Sequence, residues 1–366
     1  MPTTEEEFFS EKRPWSRMKD RILGSYLTPY LAKLAHLGRR ILLVDAFAGP
    51  GVFADGSTGS PVMFCEVAEK QAPNQYRAIF VNSDAASHQA LSTKLQPLIQ
   101  QHRVATVCGS AGDMLRNLGA TALTKDTLFL YLDPFGLKGC EFSKIEPILK
   151  RPQSVSTEVL INISVPTIDR LSTKNAIATG RATGQTSSLN ALLTEVLGGE
   201  YWKDILWKGG GPEDVIAEYC ARLRSYLPYV ASCPVRESEQ TAIKYFMILC
   251  SRHEDAIDLM NDIMRAAYQE RMHEALTDGT LFAGTSWKVD RQVPELDRFI
   301  VQKLSPGERP SRKRLRIALI QDHFMVYSNS EWNKAIGRLC KKNGPLDFDD
   351  VRKTGRLNDE SLIFLK

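Results

Sequence analysis

Two short runs in this sequence place a carboxylate beside residues that bend or open the backbone, and each follows an apolar stretch of strand length. The first is Asp45-Ala46-Phe47-Ala48-Gly49-Pro50-Gly51, directly after Ile41-Leu42-Leu43-Val44. Glycines at a strand end let a ligand approach the backbone, and in open α/β sheets ligands bind at that edge. The spacing is neither GxGxxG nor GxxxxGK(S/T), which argues against hydride transfer and ATP hydrolysis. An acidic residue there suits a cationic, amine-bearing ligand better than a pyrophosphate. Asp45, Phe47, Ala48, Gly49 and Gly51 are the candidate cofactor-binding residues, against the plainer reading of a tight turn capped by Asp45. Gly56 and Gly59 extend the loop, and Ser60-Pro61 then reads as a helix start, with Ser60 as N-cap and Pro61 at the first helical position.

The second run is Asp133-Pro134-Phe135-Gly136, after the apolar stretch Leu128 to Leu132. A carboxylate and an aromatic ring at a strand end suit an exocyclic amine: Asp133 or a nearby carbonyl accepts its hydrogen bonds while Phe135 stacks on the base that carries it. Pro134 fixes the turn that presents both. Asp133, Pro134, Phe135 and Gly136 are therefore the candidate catalytic residues, although Asp-Pro also opens ordinary turns. Between the two runs, Asp84 in Asn82-Ser83-Asp84 could accept the hydroxyls of a ribose or cap a helix beginning near Ser87. Asn82 stands where an acidic residue would serve better. Asp113, in Cys108-Gly109-Ser110-Ala111-Gly112-Asp113, could lie beside an adenine or cap the next helix. Lys19 could meet a phosphate or a cofactor carboxylate, or be solvated.

These residues need a sheet to bring them together, and the sequence supplies its pattern. Short β-branched and apolar runs at 41–44, 78–81, 104–107, 128–132 and 159–163 alternate with helix-length stretches, which predicts a doubly wound, mostly parallel Rossmann-like sheet. A late strand is expected at Ile243–Leu249 and a helix over Glu254–Leu276. Ahead of the sheet, Met18, Ile22, Leu23, Tyr26, Leu27, Tyr30, Leu31 and Leu34 have amphipathic helical spacing despite Pro29. The expected division is an N-terminal helical segment over 1–40, an α/β domain over 41–300 with a helical insertion over about 187–240, and a small winged-helix-like module over 301–366. That last stretch carries 14 Lys/Arg against 8 Asp/Glu, so a protein of net charge +4 places its basic excess there. Arg312-Lys313-Arg314-Leu315-Arg316 and Lys341-Lys342 are candidate phosphate contacts, or solvated surface.

Seven cysteines are scattered without a CxxC pair or a histidine at zinc spacing, so no metal site is expected and they read as buried apolar residues or incidental. No apolar stretch approaches membrane-spanning length, and the acidic Glu5-Glu6-Glu7 is unlike a signal peptide, so a cytoplasmic protein without membrane contact is expected.

Taken together, the runs resemble known families. Asp45 to Gly51 resembles the first motif of class I methyltransferases. Asp133 to Gly136 resembles the (D/N/S)PP(Y/F) motif of amino-directed nucleic-acid methyltransferases, with Phe135 in place of the second proline and Gly136 at the aromatic position. C5-cytosine methyltransferases use a Pro-Cys nucleophile, and here only Cys233-Pro234 occurs, in reverse order. With Trp15-Ser16-x-x-Lys19, Tyr26, Tyr30 and the run from Asp45 to Pro61, the N-terminal half is similar to the three-Cys-motif partner proteins of bacteria and phages. The resemblance implies a methyltransferase-like fold with S-adenosylmethionine as cofactor. It also implies a nucleic-acid acceptor, DNA or RNA undecided, and a separately encoded three-Cys-motif radical-SAM-like partner. On this reading the chain is a methyltransferase acting on a base amine; the alternative is a non-catalytic subunit that presents substrate to that partner.

Overall fold

The computed structural model describes residues 13–120, 126–172, 184–278, 280 and 294–366; the acidic opening at 5–7 lies outside them. The chain divides into two compact units, 1–253 and 254–366.

In the first unit, helix α1 (Pro14–His36) precedes β1 (Ile41–Asp45), α2 (Ser60–Gln71), β2 (Tyr76–Asn82), α3 (Ala85–Gln100), β3 (Val104–Cys108) and α4 (Ala111–Ala120). Then follow β4 (Thr127–Leu132), α5 (Phe142–Leu149), β5 (Thr157–Ser164), α6 (Val165–Ser172), α7 (Gly184–Leu197), α8 (Tyr201–Trp207), α9 (Pro212–Arg224), β6 (Tyr229–Val235) and β7 (Tyr245–Ser251). Seven strands form one sheet in the order β3-β2-β1-β4-β5-β7-β6. The pairs β1–β2, β2–β3, β1–β4 and β4–β5 are parallel, whereas β7 runs antiparallel to both β5 and β6. The expected doubly wound, mostly parallel sheet is thus present. Its order reverses between β1 and β4, the place where such sheets open a crevice at the strands' carboxyl ends.

Successive strand residues point to opposite faces, which sorts the core in two. Leu42, Val44, Leu128, Leu130, Val159 and Ile161 join Leu115, Ile145, Leu193 and Val215 in one cluster. On the other face Phe64 packs against Phe80, Phe129 and Tyr131, and Phe129 also meets Tyr26 and Tyr30 of α1. Pro29 does not break α1, because the carbonyl it frees, four residues back at Ser25, lies on the exposed side.

Two expectations change. The stretch read as helical to about residue 240 contains β6, whose Pro234 obscured the strand pattern; β6 is an edge strand, the place where a sheet tolerates a missing N–H. The boundary expected near 300 falls between His253 and Glu254.

The second unit therefore begins with α10 (Glu254–Thr277), followed by α11 (Pro294–Lys303), α12 (Arg312–Asp322), α13 (Asn329–Leu339), β8 (Leu346–Asp349) and β9 (Leu362–Leu365). The two strands pair antiparallel. Buried Asn261 of α10 explains the boundary: its side chain accepts from Met325 N and donates to Tyr327 O, tying α10 to the segment between α12 and α13. Among the described residues no helix is long and apolar enough to cross a membrane.

Candidate functional site

Asp45 ends β1 fully buried, at 0% exposure. Its Oδ1 accepts from Phe47 N at 3.0 Å and its Oδ2 from Ser60 Oγ at 2.7 Å, so one carboxylate ties both ends of the loop to the strand. Burial pushes Asp45 up to about 7, against the opposing effect of those two hydrogen bonds. Ser60 is consequently not the N-cap: Gly59 holds that position and the Ser60 hydroxyl is spent on Asp45. Gly51 sits at φ +86°, where a Cβ would meet Leu91 Cδ1 at 2.7 Å, so the turn depends on glycine there twice over. Asn82 closes the loop from β2, its Nδ2 donating to Gly49 O at 3.3 Å.

At the end of β4, Asp133 is not a solitary carboxylate. Lys19 of α1, only 4% exposed, donates to Oδ1 at 2.8 Å and to Oδ2 at 2.7 Å. The same ammonium lies 4.5 Å from the ring centroid of Tyr245, the first residue of β7. Burial alone would lower the Lys19 pKa, but the Asp133 charge and hydrogen bond together with Tyr245 outweigh it and the net direction is up. Tyr131 adds a hydrogen bond to Asp133 Oδ2 at 3.2 Å and receives one from Asn162 Nδ2 at 2.9 Å. Tyr131 and Asp133, two residues apart, both face α1 by the alternation of the strand. The reading of Lys19 as a solvated or ligand-seeking cation is therefore replaced by an internal ion pair.

Both strand ends open on one cavity of about 600 Å³. Phe47 to Gly51, Asn82, Asp84, Gly109 and Ser110 line one part of it. Asp133 to Gly139, Lys19, Thr167, Arg170 and Tyr245 line another. Phe135 is 55% exposed, with its ring at the cavity wall. A Cβ on Gly136 would meet nothing within 4 Å, so the position where the related motif carries a ring is open. Asp84 lines the cavity and also caps α3, accepting from Ser87 N at 2.6 Å, which holds its carboxyl below the usual range. Of the proposed ligand carboxylates two stand apart: Asp45 is buried behind the loop, and Asp113 is turned to solvent in an ion pair with Arg116. Among the lining residues four carboxylates (Asp20, Asp84, Asp133, Glu141) face four cations (Lys19, Lys138, Lys144, Arg170), so the cavity is not a trap for one sign of charge.

No family model matches the chain, and no curated protein matches it. Solved structures of similar fold do. A Legionella pneumophila protein is 11% identical, with 71% of this chain and 93% of that one covered and a TM-score of 0.42. An O-methyltransferase from Bacillus cereus, solved with SAH, is 11% identical over 62% and 80%, TM-score 0.34. The TYW2 protein of M. jannaschii, solved with AdoMet, is 7% identical over 69% and 77%, TM-score 0.32. The fold assignment itself stands on the strand order and directions given above.

The C-terminal basic run is mostly committed within its own unit. Arg316, 4% exposed, pairs with Asp258 and Asp359; Arg312 pairs with Asp359, and Lys313 with Glu254 and Asp255. Counted over 254–366, the unit holds 19 Lys/Arg and 18 Asp/Glu, because α10 and the segment after it are acidic. The basic excess belonged to the boundary drawn at 300. The residue the sequence undervalued is Lys19, and a signal for it existed: Lys19, Leu23, Tyr26 and Tyr30 share one helical stripe, and a lysine on a buried stripe requires a carboxylate partner.

Proposed function

We propose that the chain transfers the methyl group of S-adenosylmethionine to an amine of a nucleic-acid base. The observation that carries this reading is the meeting of the two runs in one cavity at the reversal of strand order. The residues there fit the cofactor: the loop from Phe47 to Gly51, whose turn requires glycine at Gly51, lines the cavity, and Asp84 offers a carboxylate at the end of β2. Phe47 to Gly51 would hold the methionine portion, Asp84 the ribose, and Gly109 to Ala111 the adenine. Bound there, the cofactor supplies an electrophilic methyl group. Asp133 would accept an N–H of the acceptor, and Phe135, exposed at the wall, would stack on its ring. Lys138 and Arg170, exposed at the same cavity, would meet flanking phosphates.

The test is calorimetric titration with S-adenosylmethionine and its demethylated product, followed by transfer of labelled methyl groups to mixed DNA and RNA. Binding of NAD or ATP in place of either ligand would overturn the cofactor assignment, and binding without labelling would overturn the transferase. A second reading, a subunit presenting substrate to a three-Cys-motif radical-SAM-like partner, is favoured by the ring-free Gly136. It requires modification of substrate only when that partner is present.

A further inference from the structure

We infer that Lys19 is a positioning residue that sets which amines the site accepts: by holding both oxygens of Asp133 it leaves the carboxylate one acceptor direction and matches its charge. This rests on the reading of Asp133 as the group that meets the acceptor.

The count of hydrogen bonds carries the argument. An ionised carboxylate offers about four acceptor directions. Lys19 takes one on each oxygen, and Tyr131 takes a second on Oδ2. One direction on Oδ1 is left for a ligand in the cavity. The ammonium is itself used up, with two donors on Asp133 and the face of Tyr245 beyond, so it is not available to a phosphate or to a cofactor carboxylate.

Two consequences for the acceptor follow. A donor that needs both carboxylate oxygens, such as a guanidinium, has only one to use. A cationic amine placed against Oδ1 lies within a few ångströms of the Lys19 charge, and the lining as a whole, with four charges of each sign, offers no compensating negative excess. A neutral amine conjugated to an aromatic ring meets neither obstacle and needs a single N–H acceptor. The pair thus selects the neutral amine of a base over the side chains of lysine and arginine.

The experiment compares the full-length wild type with Lys19→Met and Lys19→Arg. Methyl transfer to mixed DNA and RNA and to a lysine- and arginine-rich peptide is measured at saturating S-adenosylmethionine, with calorimetric affinity for the demethylated cofactor and circular dichroism alongside. Wild type is expected to label nucleic acid and not the peptide. Lys19→Met should lower kcat on nucleic acid about tenfold or more while the product affinity stays within about threefold, and Lys19→Arg should recover most of the loss. Unchanged kcat in Lys19→Met, or a loss confined to cofactor affinity, overturns the inference and leaves the methyltransferase reading standing. A variant that loses its circular dichroism is replaced by the comparison of wild type with Lys19→Arg on the two acceptors, in which labelling of the peptide by wild type overturns the inference. Absence of labelling by wild type on both acceptors overturns both readings together.

Discussion

Tyr26 of α1 donates a hydrogen bond of 2.5 Å to Glu158 of β5 across 132 residues of chain, inside the core. Ser251 donates to the other oxygen at 3.1 Å, yet burial dominates and pushes Glu158 up to about 7. A carboxyl whose folded pKa exceeds its unfolded value binds more protons in the folded state between the two. Its stabilising contribution is complete below about pH 4.5 and is lost as pH rises toward 7. Asp45 behaves in the same direction. Stability should therefore fall from pH 5 to pH 8 by on the order of 2–3 kcal/mol per group at most. Glu158→Gln should flatten that slope and raise Tm at pH 8, as read by thermal and denaturant unfolding at four pH values. A slope identical to that of wild type would show that Glu158 is not the titrating group.

Gly51 and Gly136 form a matched pair of tests. Gly51→Ala places a Cβ at φ +86° against Leu91 and is expected to cost about 1–3 kcal/mol and to abolish binding of the cofactor product. Gly136→Ala enters open space at an ordinary backbone angle and should change stability by less than about 0.5 kcal/mol. Denaturation and calorimetry on both variants check this, and equal effects would contradict the loop geometry.

The Lys19–Asp133 pair should be asymmetric in a double-mutant cycle. Asp133→Ala leaves an almost wholly buried ammonium, whereas Lys19→Met leaves a carboxylate whose side chain is 27% exposed. The first should be the more destabilising, with a coupling of about 1–3 kcal/mol between the two. Additive losses in denaturant unfolding would mean that the pair contributes no mutual stabilisation.

Nucleic-acid affinity should depend on the cavity rim and not on the basic run. Lys138→Ala with Arg170→Ala is expected to reduce the salt slope of binding by about 1.5–2. Arg312→Ala with Lys313→Ala should leave that slope unchanged. Arg316→Ala, which strands Asp258 and leaves Asp359 to Arg312 alone, should instead destabilise the second unit by about 3 kcal/mol. Binding isotherms at several salt concentrations separate the two groups, and the reverse pattern would return the phosphate contact to the C-terminal stretch.

The sheet was legible because parallel strands are short β-branched and apolar runs, and each of 41–44, 78–81, 104–107, 128–132 and 159–163 lies within an observed strand. The loops at Asp45 and Asp133 were legible for the same reason, since a carboxylate or glycine directly after such a run marks a strand end. What stayed hidden depended on long-range pairing. Nothing local shows that the Ser60 hydroxyl turns back to Asp45. The Lys19 pair spans 114 residues and could be inferred only as a missing partner. Pro234 hid β6 because proline is evidence against a strand until the strand is known to be at an edge.

The wall shared by the two halves of the site is the pairing of β1 with β4, in which Leu42 lies beside Leu128 and Asp45 beside Tyr131. β1, β2 and β3 are close in sequence, but β4 must enter beside β1 after the whole of α2, β2, α3, β3 and α4 has been passed. Contacts that close long stretches of chain form slowly, because the ordering entropy precedes the reward. Ligand binding would then be a late event in folding. Refolding followed by capture of the cofactor product should lag the return of helical circular dichroism, and a nascent chain cut short before residue 132 would hold a glycine loop with no site to serve.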